Sequence, residues 1–374
     1  MDDLFSLDYA EDVSANTQIL LNITAADERT FLSAIGGKAA RKEDIAAMVD
    51  QYIATHIGTL CFAGSDKAAL QIWAERCRAV GLCCLQTVSI NDVNSEVFAN
   101  PAADGFVLDC RDTVDLAKAA EVLMNKTTES GLLYILVNDA PNSLPNLNWT
   151  AADGVIVCDK SGQCTGDLPT ADWLACAANV FAGFGNFLCE ANGKKWAPTG
   201  ELMNGFAVRY LSQGCAGIWL DGFCANLFNP DSVLYDIYET CGRLYECIGT
   251  KRRHLHLKKS VELAAHESFA CQTAVGPKLD GAPVCLVLAV GGTQSKDAID
   301  VLADGNAVEF TGNPAVYARS ERGVNCANQC VETDGGIFEF YIPKHNKNDV
   351  LSLVIRNKTD RMLHISWLEI TVNI

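Results

Sequence analysis

The sequence predicts an α/β protein: a (β/α)8 TIM barrel over residues 1–255, followed by a small antiparallel β-sandwich over residues 256–374. Two observations carry this. Up to about residue 250, eight short apolar runs alternate with amphipathic stretches. Beyond about residue 260 the pattern changes to strand-like segments separated by Gly and Asn turns.

The eight runs are residues 18–22, 57–62, 83–88, 105–109, 132–137, 154–158, 180–184 and 217–220. Their apolar residues are consecutive rather than alternate, the pattern of parallel strands covered on both faces. Between them, Ile45, Met48, Val49, Tyr52 and Ile53 follow helical spacing, as do Leu70, Trp73, Cys77 and Val80 after Ser65-Asp66. Leu116, Ala120 and Leu123 after Thr113 do the same, as do Trp173, Leu174 and Ala177 after Pro169-Thr170. Leu202, Phe206, Tyr210 and Leu211 precede a Gly214 stop, and Val233, Ile237, Cys241, Leu244 and Ile248 precede a Gly249 stop. Caps and breakers stand where helix ends need them. Eight strands alternating with helices suit a closed barrel. The alternative is an open doubly wound sheet, but no G-x-G-x-x-G follows the first strand, and Gly36-Gly37-Lys38 lacks the rest of a phosphate loop. The connection from Val88 to Gly105 is short, so its helix is stunted or absent.

In the second part, strands are expected at 284–290, 298–302, 307–310, 336–342, 350–356 and 362–372. Segments 338–342 and 364–372 alternate with period two, which predicts one wet face. Lys251-Arg252-Arg253-His254 reads as a solvated linker between the two parts.

The net charge of -17 disfavours nucleic acid and anionic membrane as partners, since both attract clustered Lys and Arg. No basic n-region with an apolar h-region opens the chain. The 17 cysteines are odd in number and irregularly spaced, without a C-x-x-C pair, so they read as small buried hydrophobes rather than a disulfide framework or zinc site. Free thiols point to a cytoplasmic, reducing compartment, with a secreted form lacking its leader as the alternative. Four N-x-S/T triplets, at Asn22, Asn125, Asn148 and Asn357, point the other way. The histidines suggest no metal set, and no cofactor is expected.

Barrel sites form at the carboxyl ends of the strands. Here those ends carry Asn22, Asn91 and Asp92, Asp109 and Arg111, Asn138 and Asp139, Asp159, and Asp221. Asn and Asp exchange hydrogen bonds with hydroxyl groups, and a carboxylate can act in glycosidic cleavage. Strand ends also exit into solvent, where Asp and Asn cap helices. Asp109 is singled out because it ends an apolar strand in Asp104-Gly105-Phe106-Val107-Leu108-Asp109.

Four stretches, residues 50–60, 73–82 with Asn91-Asp92-Val93, 104–109 and 210–220, resemble glycoside hydrolase-type (β/α)8 proteins that carry a C-terminal β-sandwich, a mostly bacterial group. With the sandwich, the resemblance spans roughly residues 17–374. It implies action on a glycan, with Asp109 matching the last residue of a D-G-hydrophobic-E-L-D motif. The sequence departs from the pattern in several places. Val107 stands where the family has Glu, Asn94 where a His would follow Val93, and no basic residue precedes Asn91. Residues 180–185 carry no acid, so Glu190 is the nearest second carboxylate. Hydrolysis by two carboxylates needs them roughly 5–9 Å apart.

Two functions follow. One is a glycoside hydrolase using Asp109 and Glu190, with Asn22, Asn91, Asp92, Arg111, Asn138, Asp139 and Asp221 holding substrate hydroxyls. The other is a barrel that has lost its acid pair and serves as a carbohydrate-binding or scaffold protein. An aldolase would want a strand-end Lys, for which Lys160 is the candidate.

Overall fold

A computed structural model of the chain describes residues 18–24, 42–50, 52, 57–63, 66–92, 103–111, 131–138, 149–158, 168–184, 189–191, 194–196, 200–221, 252–255, 261–276, 278, 281–312, 335–343 and 350–372. The apolar runs are β1 (Gln18–Thr24), β2 (Ile57–Ala63), β3 (Cys83–Ser89), β4 (Gly105–Asp109), β5 (Leu132–Val137), β6 (Gly154–Cys158) and β7 (Val180–Phe184). After a short ribbon of β8 (Cys189–Ala191) and β9 (Lys194–Trp196) comes the eighth, β10 (Gly217–Asp221). The eight form a closed barrel in the order β1-β10-β7-β6-β5-β4-β3-β2, so the open-sheet alternative falls. Every pairing in it is parallel.

Among the described residues four helices accompany the strands: α1 (Lys42–Asp50), α2 (Lys67–Val80), α3 (Thr170–Leu174) and α4 (Gly200–Ser212). The start of α2 is fixed by Asp66, whose carboxylate accepts from the Ala68 and Ala69 amides at 3.0 and 3.2 Å. Its end is fixed by Gly81, left-handed at φ 82°, which lets Leu82 N–H reach the Cys77 carbonyl at 2.9 Å. The expected helices around residues 116–123 and 231–248 lie outside the described residues. The short link after β3 begins with a single 3-10 turn, Ile90–Asp92. Among the described residues no helix is long and apolar enough to cross a membrane.

Alternation along the barrel strands sorts side chains into two layers. Leu20, Cys61, Leu85, Val107, Tyr134, Leu136, Ile156, Cys158, Phe181 and Trp219 fill the lumen. Their neighbours, such as Ile19, Leu21, Leu60, Phe106 and Leu108, join the cluster that includes helical residues such as Leu70 and Trp73. Tyr134 and Phe181 meet edge to face at 5.5 Å in the lumen. A Cβ at Gly183 would stand 2.0 Å from Cys158 Sγ, so β7 needs glycine where the lumen is filled from β6.

At the amino end of the barrel, two acids do the same work. Asp104 N–H donates to the Cys84 carbonyl and Asp104 Oδ2 accepts from the Cys84 N–H, at 2.8 and 2.9 Å. Asp153 treats Leu133 in the same way, at 2.8 and 2.7 Å. Each Asp thus satisfies a backbone amide near the start of the preceding strand. Each stands in an Ala-Ala-Asp-Gly sequence, at 102–105 and 151–154, followed by four residues of strand.

The described residues from Arg252 onward form antiparallel sheets. One contains β11 (Arg252–Leu255), β12 (Val261–Leu263), β14 (Val284–Gly291), β17 (Glu309–Gly312), β18 (Gly336–Tyr341) and β20 (Leu363–Val372). The other contains β13 (Ser268–Ala274), β15 (Ile299–Ala303), β16 (Asn306–Ala307) and β19 (Val350–Asn357). Apolar residues of both, including Leu286, Leu288, Val301, Leu353 and Ile370, form one cluster. The β15–β16 hairpin turns on Asp304 and Gly305, both at positive φ (49° and 76°), as a two-residue type I′ loop requires.

Two expectations are corrected here. Arg252-Arg253-His254 is a buried strand, not a solvated linker: β11 pairs with β20 and packs beside α4. A Cβ on Gly205 of α4 would stand 2.2 Å from the Arg253 carbonyl oxygen, so the two backbones nearly touch. Burial of the guanidinium is met by Glu369, which accepts from Arg253 Nη2 at 2.9 Å and from Trp367 Nε1 at 3.0 Å, as well as from Arg253 Nε. The second correction concerns the wet face of residues 364–372. Alternating burial holds only at the start of β20; from Trp367 to Val372 every residue is buried. The reason is that Val287, Ala289 and Trp367 belong to the barrel's outer cluster while Leu286, Leu288, Leu368 and Ile370 face the second sheet.

Most of the described cysteines behave as small core residues, while Cys83, Cys176 and Cys271 are partly exposed. Cys61, Cys84 and Cys158 are buried, and ten described cysteines are free thiols. Cys326 and Cys330 lie outside the described residues. Two of the four N-x-S/T asparagines, Asn22 and Asn357, are buried and hydrogen-bonded, which closes them to glycosylation in the folded chain.

Two predictions follow from this packing. Asp153→Ala leaves the buried Leu133 amide without its acceptor and lowers stability by about 1–3 kcal/mol in urea unfolding; Asp104→Ala does the same through Cys84. The second concerns alkaline pH. Burial pushes the Cys110 and Cys215 thiols from 9.0 up to about 12. An unfolded thiol ionises near 9.0, so the folded state keeps its full advantage below that and loses it as pH rises from about 9 towards 12. Unfolding midpoints measured across this range should fall, and Cys110→Ala and Cys215→Ala should each flatten the fall.

Candidate functional site

The carboxyl ends of the strands gather polar groups on the lumen side. Leu20, Val107 and Leu136 point into the lumen, so residues two positions further along, Asn22, Asp109 and Asn138, share that face. Asn22 is buried at the end of β1, and its Oδ1 accepts from Thr87 Oγ1 of β3 at 2.8 Å. Thr87 was not among the expected site residues. Its signal was a hydroxyl two positions beyond Leu85 in an apolar run.

Asp109 is held by Arg111. Oδ1 accepts from the Arg111 backbone N–H at 3.1 Å and from Nε at 2.9 Å, and Oδ2 accepts from Nη2 at 2.6 Å. Both side chains are about three-quarters covered, with 22% and 25% of their surface exposed. A bidentate guanidinium–carboxylate pair of this kind fixes the plane of the acid as well as neutralising it. The turn itself is tied to β5: Cys110 N–H donates to the Leu136 carbonyl at 2.9 Å, and Asn138 Nδ2 donates to the Arg111 carbonyl at 3.3 Å. The Cys110 thiol beside it is raised to about 12, first by burial and then by the Asp109 charge, so it is protonated at neutral pH and is no nucleophile.

Other expected residues stand apart or fall outside the description. Asn91 and Asp92 are exposed on the 3-10 turn after β3, where the Asn91 N–H donates to Ser89 Oγ at 3.2 Å. Asp221 ends β10 as the register partner of Asn22. Glu190 lies on β8, opposite Lys195 of β9 in the ribbon that follows β7; its side chain is outside the described residues. Asp139, Asp159 and Lys160 are also outside them. Trp219 is a fully buried lumen residue. Asp109, Arg111 and Asn138 are therefore brought together, Asn22 joins Thr87 on the same lumen layer, and Asn91 and Asp92 lie on the surface.

Comparison of Asp109 with its counterpart on β6 separates fold from site. In the second Ala-Ala-Asp-Gly copy the same position is Cys158, also on the lumen side. The fold therefore closes a strand end there without an acid, whereas it uses an acid at the foot in both copies.

No protein-family model and no curated protein matches the chain. Among solved structures, it is similar to a GH18 chitinase from the chitin utilization locus of Flavobacterium johnsoniae at 14% identity, covering 60% of this chain and 94% of that one, with a TM-score of 0.40. It is also similar to the tryptophan synthase of M. tuberculosis in its aminoacrylate- and BRD0059-bound form, at 12% identity, 63% and 94% coverage and a TM-score of 0.38. The tryptophan synthase A-subunit of Pyrococcus furiosus gives 14% identity, 62% and 98% coverage and a TM-score of 0.38. Likeness at this level assigns no chemistry, and the barrel stands on its own strand pairing.

Proposed function

We propose that the chain is a carbohydrate-binding barrel whose carboxyl-side mouth holds the hydroxyl groups of a glycan, with the antiparallel sheets forming a β-sandwich that braces it. The observation that carries this reading is the clamp on Asp109. Both of its oxygens are occupied by Arg111, which suits a fixed hydrogen-bond acceptor better than a nucleophile or a proton carrier. Asn22, Thr87 and Asn138 add amide and hydroxyl groups on the same lumen layer, the chemistry that polyols match. The sequence resemblance to glycoside hydrolase-type barrels supports the ligand class, and the net charge of -17 argues against nucleic acid and anionic lipid.

Hydrolysis is the second reading. It is favoured by the contrast between Asp109 and Cys158, since an acid that the fold does not need has a reason of its own. It would use Asp109 with Glu190.

Titration calorimetry with a panel of neutral oligosaccharides, followed by mass spectrometry of the sugars, tests both. The expected result is saturable binding with the sugar left intact, weakened about tenfold or more by Asp109→Ala. Cleavage that disappears in both Asp109→Asn and Glu190→Gln would replace binding with hydrolysis. Failure to bind or cleave any sugar would remove both readings.

A further inference from the structure

We infer that Asn138 sets the specificity of the mouth for a ligand group that donates a hydrogen bond, a hydroxyl rather than a carboxylate, a phosphate or an ether. The inference rests on the glycan reading of the same mouth and goes on to say which atoms of the sugar are recognised.

The orientation of the Asn138 amide is fixed by its neighbour. The Arg111 carbonyl is an acceptor only, so the group facing it at 3.3 Å must be the NH2 end. That leaves Oδ1 pointing elsewhere, and this oxygen is closed off from solvent without a hydrogen-bond donor among the described residues. A buried acceptor left idle is costly, and native proteins hold few of them. On the adjacent strand β4, both Asp109 oxygens accept from Arg111. The acceptor left for a donor at these neighbouring strand ends is therefore Asn138 Oδ1. An anionic ligand group would bring only acceptors to this oxygen, with the Arg111 charge already spent on Asp109. A sugar hydroxyl supplies the donor: the residue as a whole is only partly buried, so a small rotation about its broad terminal torsion, with Nδ2 still on the Arg111 carbonyl, opens Oδ1 to a ligand at the mouth.

Stability and binding should therefore separate in a variant at this position. Asn138→Leu has similar volume and no polar atoms. It removes the idle acceptor together with one long bond to the Arg111 turn. Its thermal midpoint should therefore match or exceed that of the parent chain, while the affinity for the neutral oligosaccharides bound by the parent falls about 10- to 100-fold. The O-methyl ethers of those sugars, which keep the oxygens and lose the donors, should bind the parent weakly and should not distinguish it from Asn138→Leu. A lowered midpoint in Asn138→Leu would mean that the oxygen is already paired, and unchanged sugar affinity would mean that it does not touch the ligand; either overturns the inference. If the parent chain takes no sugar, the glycan reading falls separately. Thermal shifts with small amides and amines against their carboxylate analogues then decide: a preference for the donors that is lost in Asn138→Leu keeps the inference, and any other outcome ends it.

Discussion

Closure of the cylinder between β1 and β10 sets where every group in the barrel points. Gln18 to Asn22 pair in parallel with Gly217 to Asp221 without a shift, and the Gln18 N–H reaches the Ala216 carbonyl at 3.1 Å at the foot of the seam. Side chains on a strand alternate strictly, so a slip of one residue would exchange the lumen and the outer layer. Such a slip is resisted from both sides, because Leu20 and Trp219 are packed in the lumen while Ile19, Leu21, Ile218 and Leu220 are packed outside. Asn22, Asp109 and Asn138 stand on the lumen side only because this register holds.

The two ends of the barrel use the same residue types for different ends. At the foot, Asp104 and Asp153 spend their oxygens on backbone amides of neighbouring strands, which suits a stabilising role and leaves little for a ligand. At the mouth, Asp109 spends its oxygens on a side chain two residues away, inside a turn that β5 also holds. The foot pairing occurs in both copies of the Ala-Ala-Asp-Gly segment, while the mouth acid occurs in one. Stability is thus repeated around the barrel and the candidate chemistry is local, the usual division of labour in this fold.

The antiparallel part is joined to the barrel through its own core strands. All eight residues of β14 are buried, because one face meets the second sheet and the other meets the barrel. Within that contact, Arg253 and Glu369 form an ion pair with 9% and 1% of their side chains exposed. Breaking such a pair leaves a buried charge uncompensated, at a cost of about 3–5 kcal/mol, so the pair opposes any other docking of β11 on β20. The close approach of Gly205 to the Arg253 carbonyl ties α4 to the same strand.

Local chemistry was enough to find the barrel strands, the caps of α2 and the polar strand ends. Consecutive apolar residues mark a doubly covered strand wherever they occur, and Asp66 and Gly81 act on amides and carbonyls within a few residues. Alternation in β20 misled for the same reason: it records polarity along the chain, and Glu369 is polar whether it faces water or Arg253. The basic run at 251–254 also reads as solvated until its acid, more than a hundred residues later, is known. At the mouth, the residue types at 22, 109, 111 and 138 were legible because strand ends are. That Asn138 holds Arg111 depended on β4 and β5 coming side by side, and that Thr87 meets Asn22 depended on β1 and β3 flanking β2 in the closed barrel. Hydrogen bonds act over about 3 Å, and only the closed barrel brings these groups within that distance.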